Sequence, residues 1–212
     1  MKKFPLRALI IAFLTLTAGT AQAAFYFKAT GFYSNPGDVK VDSASAFKAS
    51  IKSNTGLSGA LGYKFSLLRL EGELQSLNSG TSGGSTSTGA ATVSGSLKEL
   101  SGFANAFLDI PSTLGLAPYV GVGLGYAKID LGQFNVVQGV TNVVQFSGED
   151  KAFAYQAMAG LEFHILGQAT QHAGYRIVHR GDIELRNAVA SAKQNIKLGE
   201  NQLFEIGLAF GF

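Results

Sequence analysis

The chain has 212 residues, with 17 basic and 14 acidic side chains, 27 glycines, and neither cysteine nor tryptophan. Without cysteine, a disulfide-stapled scaffold and thiolate chemistry are both excluded. Three of the basic residues and none of the acidic ones fall within the first 23 positions, leaving fourteen of each; the net positive charge is therefore no argument for nucleic-acid binding.

Lys2, Lys3 and Arg7 form a basic segment, Ala8 to Thr17 an apolar one, and Ala21-Gln22-Ala23 an A-x-A cleavage site. The apolar run is shorter than the roughly 20 residues a membrane-spanning helix needs, so residues 1–23 read as a signal peptide cut after Ala23. Residues 24–212 then make one domain. Beyond the leader no run approaches a transmembrane helix in length, so any spanning structure must be a closed barrel.

Eight strands are expected, each near the roughly 9–11 residues that cross a bilayer at a tilt. A strand has a side-chain period of two, and each of these sets large apolar residues on one parity against small or polar ones on the other. The first, Ala24 to Tyr33, sets Phe25, Phe27 and Ala29 against Lys28 and Thr30. The second, Gly56 to Phe65, sets Leu57, Leu61, Tyr63 and Phe65 against Ser58, Ala60 and Lys64. In the third, Leu67 to Leu77, Leu68, Leu70 and Leu74 alternate with Arg69, Glu71, Glu73 and Gln75. The fourth, Lys98 to Ile110, puts Leu100, Ala104, Ala106 and Leu108 opposite Ser101, Asn105 and Asp109.

The fifth, Pro118 to Leu131, has Val120, Val122, Leu124 and Tyr126 facing away from Gly121, Gly123 and Gly125. The sixth, Ala152 to His164, opposes Phe153, Tyr155, Ala157, Leu161 and Phe163 to Gln156, Gly160 and Glu162. The seventh, Gln171 to about His179, opposes Ala173, Tyr175 and Ile177 to Gly174 and Arg176. The eighth, Leu203 to Phe212, sets Phe204, Ile206, Leu208, Phe210 and Phe212 against Glu205, Gly207, Ala209 and Gly211. No apolar core could accept the charged parity, so the greasy face is expected to meet lipid. A soluble ligand-binding barrel would need that parity reversed.

The connections alternate between long and short. Long ones cover about 34–55, 78–97, 132–151 and 180–201; short turns sit near Ser66, between Pro111 and Ala117, and between Ile165 and Thr170. Long loops on one rim and tight turns on the other match the asymmetry of outer-membrane barrels. Residues 78–97 are rich in Gly, Ser and Thr, carry no charge, and read as a solvated loop without structure of its own. The fourth loop contains Ile183, Leu185, Val189 and Ile196, a pattern that fits either a longer hairpin or a short helix.

Parity directs Lys28, Lys64, Arg69 and Arg176 inward, together with Glu71, Glu73, Asp109, Glu162 and Glu205. In so narrow a lumen these groups are expected to pair, because an isolated charge away from water is expensive. They would fill the barrel as a plug, or line a narrow path for ions or small solutes. Arg69 and Arg176 are the candidates for bidentate bonds to the interior carboxylates. Phe25, Tyr63, Phe65, Phe163 and Phe212 are expected at the turn end of the barrel, and Tyr33, Phe153, Tyr155 and Phe204 towards the loop end, as interfacial aromatics.

Catalysis has little support. His179 lies near Asp182 and Glu184 but has no serine close in sequence, and His164 and His172 flank a turn, so all three read as solvated turn or rim histidines. No H-E-x-x-H spacing is present, and no cofactor or metal site is expected. Arg180-Gly181-Asp182 is an RGD tripeptide with no flanking feature to support integrin binding.

Pro118 to Tyr126, Leu70-Glu71-Gly72-Glu73, Phe153 to Phe163, Gly174-Tyr175-Arg176 and the terminal aromatic strand together resemble the small outer-membrane β-barrel superfamily. That group includes the transmembrane domain of outer-membrane protein A, the neisserial opacity proteins and the major surface antigens of intracellular bacteria. The resemblance covers Ala24 to Phe212. It implies an eight-stranded antiparallel up-and-down transmembrane β-barrel, all-β, in the outer membrane of a Gram-negative-type bacterium. It also implies that Phe212 is read by the barrel-assembly machinery, and that the outer loops meet a host or cell-surface ligand. Outer-membrane lipids and lipopolysaccharide would surround it as a monomer. The expected role is structural or surface-interacting, adhesion- or antigen-like; a narrow porin-like diffusion channel is the alternative, and a lipid-modifying enzyme ranks behind both.

Overall fold

The computed structural model describes residues 24–37, 39–41, 47–86, 89–94, 96–112, 115–138, 141–166, 168–187 and 192–212. The expected signal peptide, residues 1–23, lies outside them. Among the described residues thirteen strands form one antiparallel sheet, and no helix is long and apolar enough to cross a membrane. Eight of the strands make a closed barrel: β1 (Ala24–Pro36), β4 (Asn54–Phe65), β5 (Leu68–Thr86), β7 (Ser96–Asp109), β8 (Leu116–Gln138), β9 (Thr141–Leu166), β10 (Ala169–Arg180) and β13 (Asn201–Gly211). Neighbours in sequence are neighbours in space, and β13 closes on β1 from Tyr26↔Gly211 to Pro36↔Asn201. The Phe212 amide donates to the Phe25 carbonyl at 2.9 Å and finishes the seam.

The stagger of the barrel follows from the ladder. From Tyr26, cross-strand partners run through Gly62, Glu71, Asn105, Gly123, Gln156, Val178 and Asn201, and arrive back on β1 at Pro36. One circuit climbs from residue 26 to residue 36, a shear of ten for eight strands. At the usual strand spacing and rise this sets a tilt of about 40°. A barrel this narrow has an interior that side chains can fill.

The alternation expected from sequence decides which side is which. β1 runs exposed–buried from Phe25 to Asn35, with Lys28, Thr30 and Ser34 buried and Phe27 and Tyr33 exposed. Among the described residues twenty-five large apolar side chains stand exposed, most of them on the outer wall, Leu57, Leu74, Val122 and Tyr126 among them. Facing water, such a surface would cost on the order of tens of kcal/mol, more than the whole stability of a typical domain. Hydrocarbon is the medium in which this wall is stable.

The tight turns lie where they were expected. Ser66 takes a φ of 51° in the two-residue turn between β4 and β5, and the Ile110 amide bonds the Pro118 carbonyl at 2.8 Å across the next turn.

The long connections differ from expectation. Residues 78–97 do not form a structureless loop: β5 continues to Thr86 and β6 (Gly89–Ser94) returns along it. The first loop contains β2 (Val39–Val41) and β3 (Phe47–Ile51), and the fourth is a hairpin of β11 (Ile183–Asn187) and β12 (Ala192–Lys197), which settles it as strand rather than helix. These pieces pair all the way round, in the order β5–β6–β8–β9–β11–β12–β2–β3 and back to β5. The barrel therefore continues outward as a second ring of eight strands. A polar segment with little preference of its own becomes strand because neighbouring edges offer it backbone partners.

Candidate functional site

Three tiers of side chains fill the lumen. At the turn end, β5 brings in Arg69 one residue after its start and β7 brings Asp109 at its end. Arg69 Nε donates to Asp109 Oδ1 at 2.8 Å, and its Nη1 bonds Glu162 from β9. Lys28 pairs with Glu71, whose other oxygen accepts from the Tyr26 hydroxyl at 2.5 Å. Lys64 Nζ lies 2.7 Å from Asp109 Oδ2, an ion pair off the hydrogen-bond direction; with its side chain 37% exposed, Lys64 stands at the mouth of the turn end. The Phe107 ring sits under both cations, 4.9 Å from Lys28 Nζ and 5.0 Å from Arg69 Cζ.

The middle tier is organised by Arg176 of β10, which is 1% exposed. Its Nη1 donates to Glu73 Oε2 at 2.8 Å and its Nε to Glu205 Oε2 at 2.9 Å. Gln156 and Asn105 complete the ring. Gln156 accepts from Arg176 at 3.1 Å and donates to Asn105 at 2.7 Å, and Asn105 donates to Glu73 at 2.8 Å. Carboxylates from β5 and β13 thus share one guanidinium with the Gln156 amide of β9, and Asn105 of β7 joins through Glu73 and Gln156, so one network ties together five strands of the barrel.

Above this the interior turns apolar. Phe32, Leu77, Phe103, Ile129, Val178 and Leu203 belong to one buried cluster that reaches into the base of the outer ring. One ion pair is set into it: Arg180 grips Glu99 through Nε at 3.0 Å and Nη2 at 2.8 Å, and the Ser101 hydroxyl donates to Glu99. A cavity of about 20 Å³, roughly one water, lies among Leu97, Ile129, Arg180 and Leu198.

The structure therefore brings together Lys28, Lys64, Arg69, Glu71, Asp109 and Glu162 in one tier and Glu73, Arg176 and Glu205 in the next. Sequence reasoning did not single out Tyr26, Tyr119 (whose buried hydroxyl donates to Glu205 at 3.3 Å), Glu99, Arg180 or the apolar tier as interior partners. All fall on the inward parity of their strands, which was the available signal. One expectation is corrected. His172 is not a solvated turn histidine: it is 2% exposed inside the barrel, with Nε2 3.2 Å from the Thr30 hydroxyl. It shares parity with Gly174 and Arg176, so its strand carries it inward. The RGD tripeptide does not present itself, because the Arg180 guanidinium is turned into the lumen onto Glu99. His179 pairs not with the acids next to it in sequence but with Glu200, at 2.9 Å, while its ring stacks on Tyr155.

A closed barrel with an apolar outer wall agrees with the sequence comparison: the model of the outer membrane protein beta-barrel domain matches residues 8–212. The chain belongs to that family. It is an integral protein of the outer membrane, and its fold is the eight-stranded membrane barrel. No curated protein sequence matches it. Among solved structures, neisserial surface protein A is 16% identical, covering 90% of this chain and 99% of that one at a TM-score of 0.55. OprG from Pseudomonas aeruginosa is 14% identical over 92% of this chain and 98% of that one, with a TM-score of 0.58. A major outer membrane protein from Thermus thermophilus is 10% identical over 90% and 100%, with a TM-score of 0.60. At these identities the likeness concerns the fold.

Proposed function

We propose that this outer-membrane barrel does not conduct, and that it serves to hold a wall of β-structure outside the membrane for adhesion- or antigen-like contact with host or neighbouring-cell ligands. The observation that carries this reading is the filled lumen. Paired charges occupy the turn-end half, and the apolar cluster around Phe103, Ile129, Val178 and Leu203 occupies the half towards the outer ring. An ion leaving the Arg176 cluster outward would meet this packed layer, in which the charged groups of Arg180 and Glu99 already satisfy each other. That layer favours the plug over the narrow channel along the same charges.

The deciding experiment is single-channel conductance of the folded protein in a planar bilayer, with Arg176→Ala beside it. Both are expected to be silent. The variant should instead lose about 3–5 kcal/mol of unfolding free energy, because Glu73 and Glu205 are left buried without their partner. A steady conductance in the native protein, altered by the substitution, would turn the interior charges into a pathway and sink the plug.

The same reading is non-catalytic. The dyad of His179 and Glu200 has no hydroxyl hydrogen-bonded to it among the described residues, and the buried pair of Thr30 and His172 has no carboxylate on Nδ1 to orient the ring. We also propose cleavage after Ala23 and a role for Phe212 as the assembly signal. Its place in the closing seam, with its ring 6.3 Å from that of Phe25, supports the second. Intact mass of the protein from outer membranes should correspond to residues 24–212. Phe212→Ala should lower the amount of heat-modifiable barrel, and an undiminished yield would remove the signal role.

A further inference from the structure

The two charge tiers of the lumen are composed differently. At the turn end Lys28, Lys64 and Arg69 meet Glu71, Asp109 and Glu162, three against three. In the middle tier Arg176 alone meets both Glu73 and Glu205. Both carboxylates are buried, so this tier holds one negative charge more than its guanidinium answers. An unanswered charge away from water is expensive, and the folded lumen must contain something that offsets it.

The hydrogen bonds place the excess on one atom. Glu205 uses both oxygens, Oε2 on Arg176 and Oε1 on the Tyr119 hydroxyl at 3.3 Å. Glu73 does not. Its Oε2 accepts from Arg176 and Asn105 at 2.8 Å and from Gln156 at 3.4 Å, while its Oε1 is buried without a partner. Ser58 of β4 stands beside this carboxylate, and its buried hydroxyl is unpartnered too. Ala60, the cross-strand neighbour of Glu73, has no polar group to offer. Ser58 pairs across the ladder with Thr30 of β1 and Gln75 of β5, both buried on the inward parity. The other cations nearby are engaged: Lys28 acts on Glu73 through space, but its ammonium is bound to Glu71. His172 is poorly placed to supply the charge, because a doubly protonated ring donates from both nitrogens and its Nδ1 has no acceptor among the described residues.

We propose that the middle tier binds one alkali-metal cation, held by Glu73 Oε1 and the Ser58 hydroxyl, with the side-chain oxygens of Thr30 and Gln75 available to its shell. Hard cations take oxygen ligands, and a carboxylate with neutral hydroxyl and amide oxygens is such a set. The excess is a single charge, which one monovalent ion cancels. Among the described residues no three His, Cys, Asp or Glu side chains come together as a divalent site would favour. A water would satisfy both oxygens and leave the charge. A proton on Oε1 would need an acceptor, and the Ser58 hydroxyl makes no hydrogen bond with the carboxylate. Buried polar atoms without partners are where an ion is to be sought.

The test is the urea midpoint of the folded barrel in detergent micelles, with sodium chloride replacing choline chloride stepwise at one ionic strength. Choline screens surface charge as sodium does but is too bulky for the gap between two side chains. The midpoint should rise with sodium, the folded-to-unfolded ratio gaining about 100-fold once sodium reaches a hundred times its Kd. Ser58→Ala should fold, as heat-modifiability on gels reports, and lose the sodium dependence. A hydroxyl with a merely structural role would instead lower the midpoint equally in both salts. Glu73→Gln leaves Arg176 with one carboxylate and should lose the dependence as well, so each variant serves if the other does not fold. Equal midpoints of the native barrel in the two salts would overturn the proposal, as would a sodium dependence that Ser58→Ala keeps. A midpoint that follows pH and ignores sodium would also overturn it, assigning the compensating charge to a proton.

Discussion

Gly121 has no side chain because the Phe107 ring occupies the place one would take. A Cβ there would stand 2.3 Å from that ring, and one at Gly62 would stand 2.2 Å from the ring of Tyr26. The small residues on the inward parity, which in the sequence look merely permissive, are the seats of lumen aromatics from the adjacent strand. Phe107 in turn lies beneath Lys28 and Arg69, so shifting it disturbs the charge tier. Gly121→Ala should therefore cost about 1–3 kcal/mol by overpacking. Gly72→Ala, whose Cβ meets nothing within 4 Å on the outward face, should stay within about 0.5 kcal/mol of the native protein. Urea midpoints in detergent micelles measure both, and equal shifts would mean that the ring does not seat on Gly121. The inward direction of Arg69 and Arg176 was legible from parity alone. Their partners were not, because Arg176 to Glu73 spans 103 positions and no local pattern links them.

The strands that cross the membrane were legible because their alternation is forced by lipid on one face and a polar or packed interior on the other. Where that constraint ends, at the outer rim, the reading of 78–97 failed. β5 passes from Glu71 and Leu74 into a run of Gly, Ser and Thr with no contrast between parities, yet it keeps pairing, with β3 on one edge and β6 on the other. Composition reports what a segment prefers in isolation, whereas the ladder is supplied by segments distant in sequence. Amide hydrogen exchange tests this difference directly. Residues 81–86 should show protection well above that of an open loop of the same composition, and exchange at the open-loop rate would return the segment to the solvated loop expected from its sequence.

For the whole molecule, a shear of ten over eight strands makes a cylinder narrow enough for its inward side chains to fill, which leaves the lipid-facing wall and the outer ring as its accessible surfaces. By itself the sequence determined the number of spanning strands, the sidedness of each and the rim that bears the long connections. These are local, period-two properties imposed by the bilayer on every strand separately. Only the tertiary structure decided which charges share a tier, that an apolar layer caps them, and that the outer loops close into a second ring. Each of these depends on register, and register is a relation between strands that no single strand encodes.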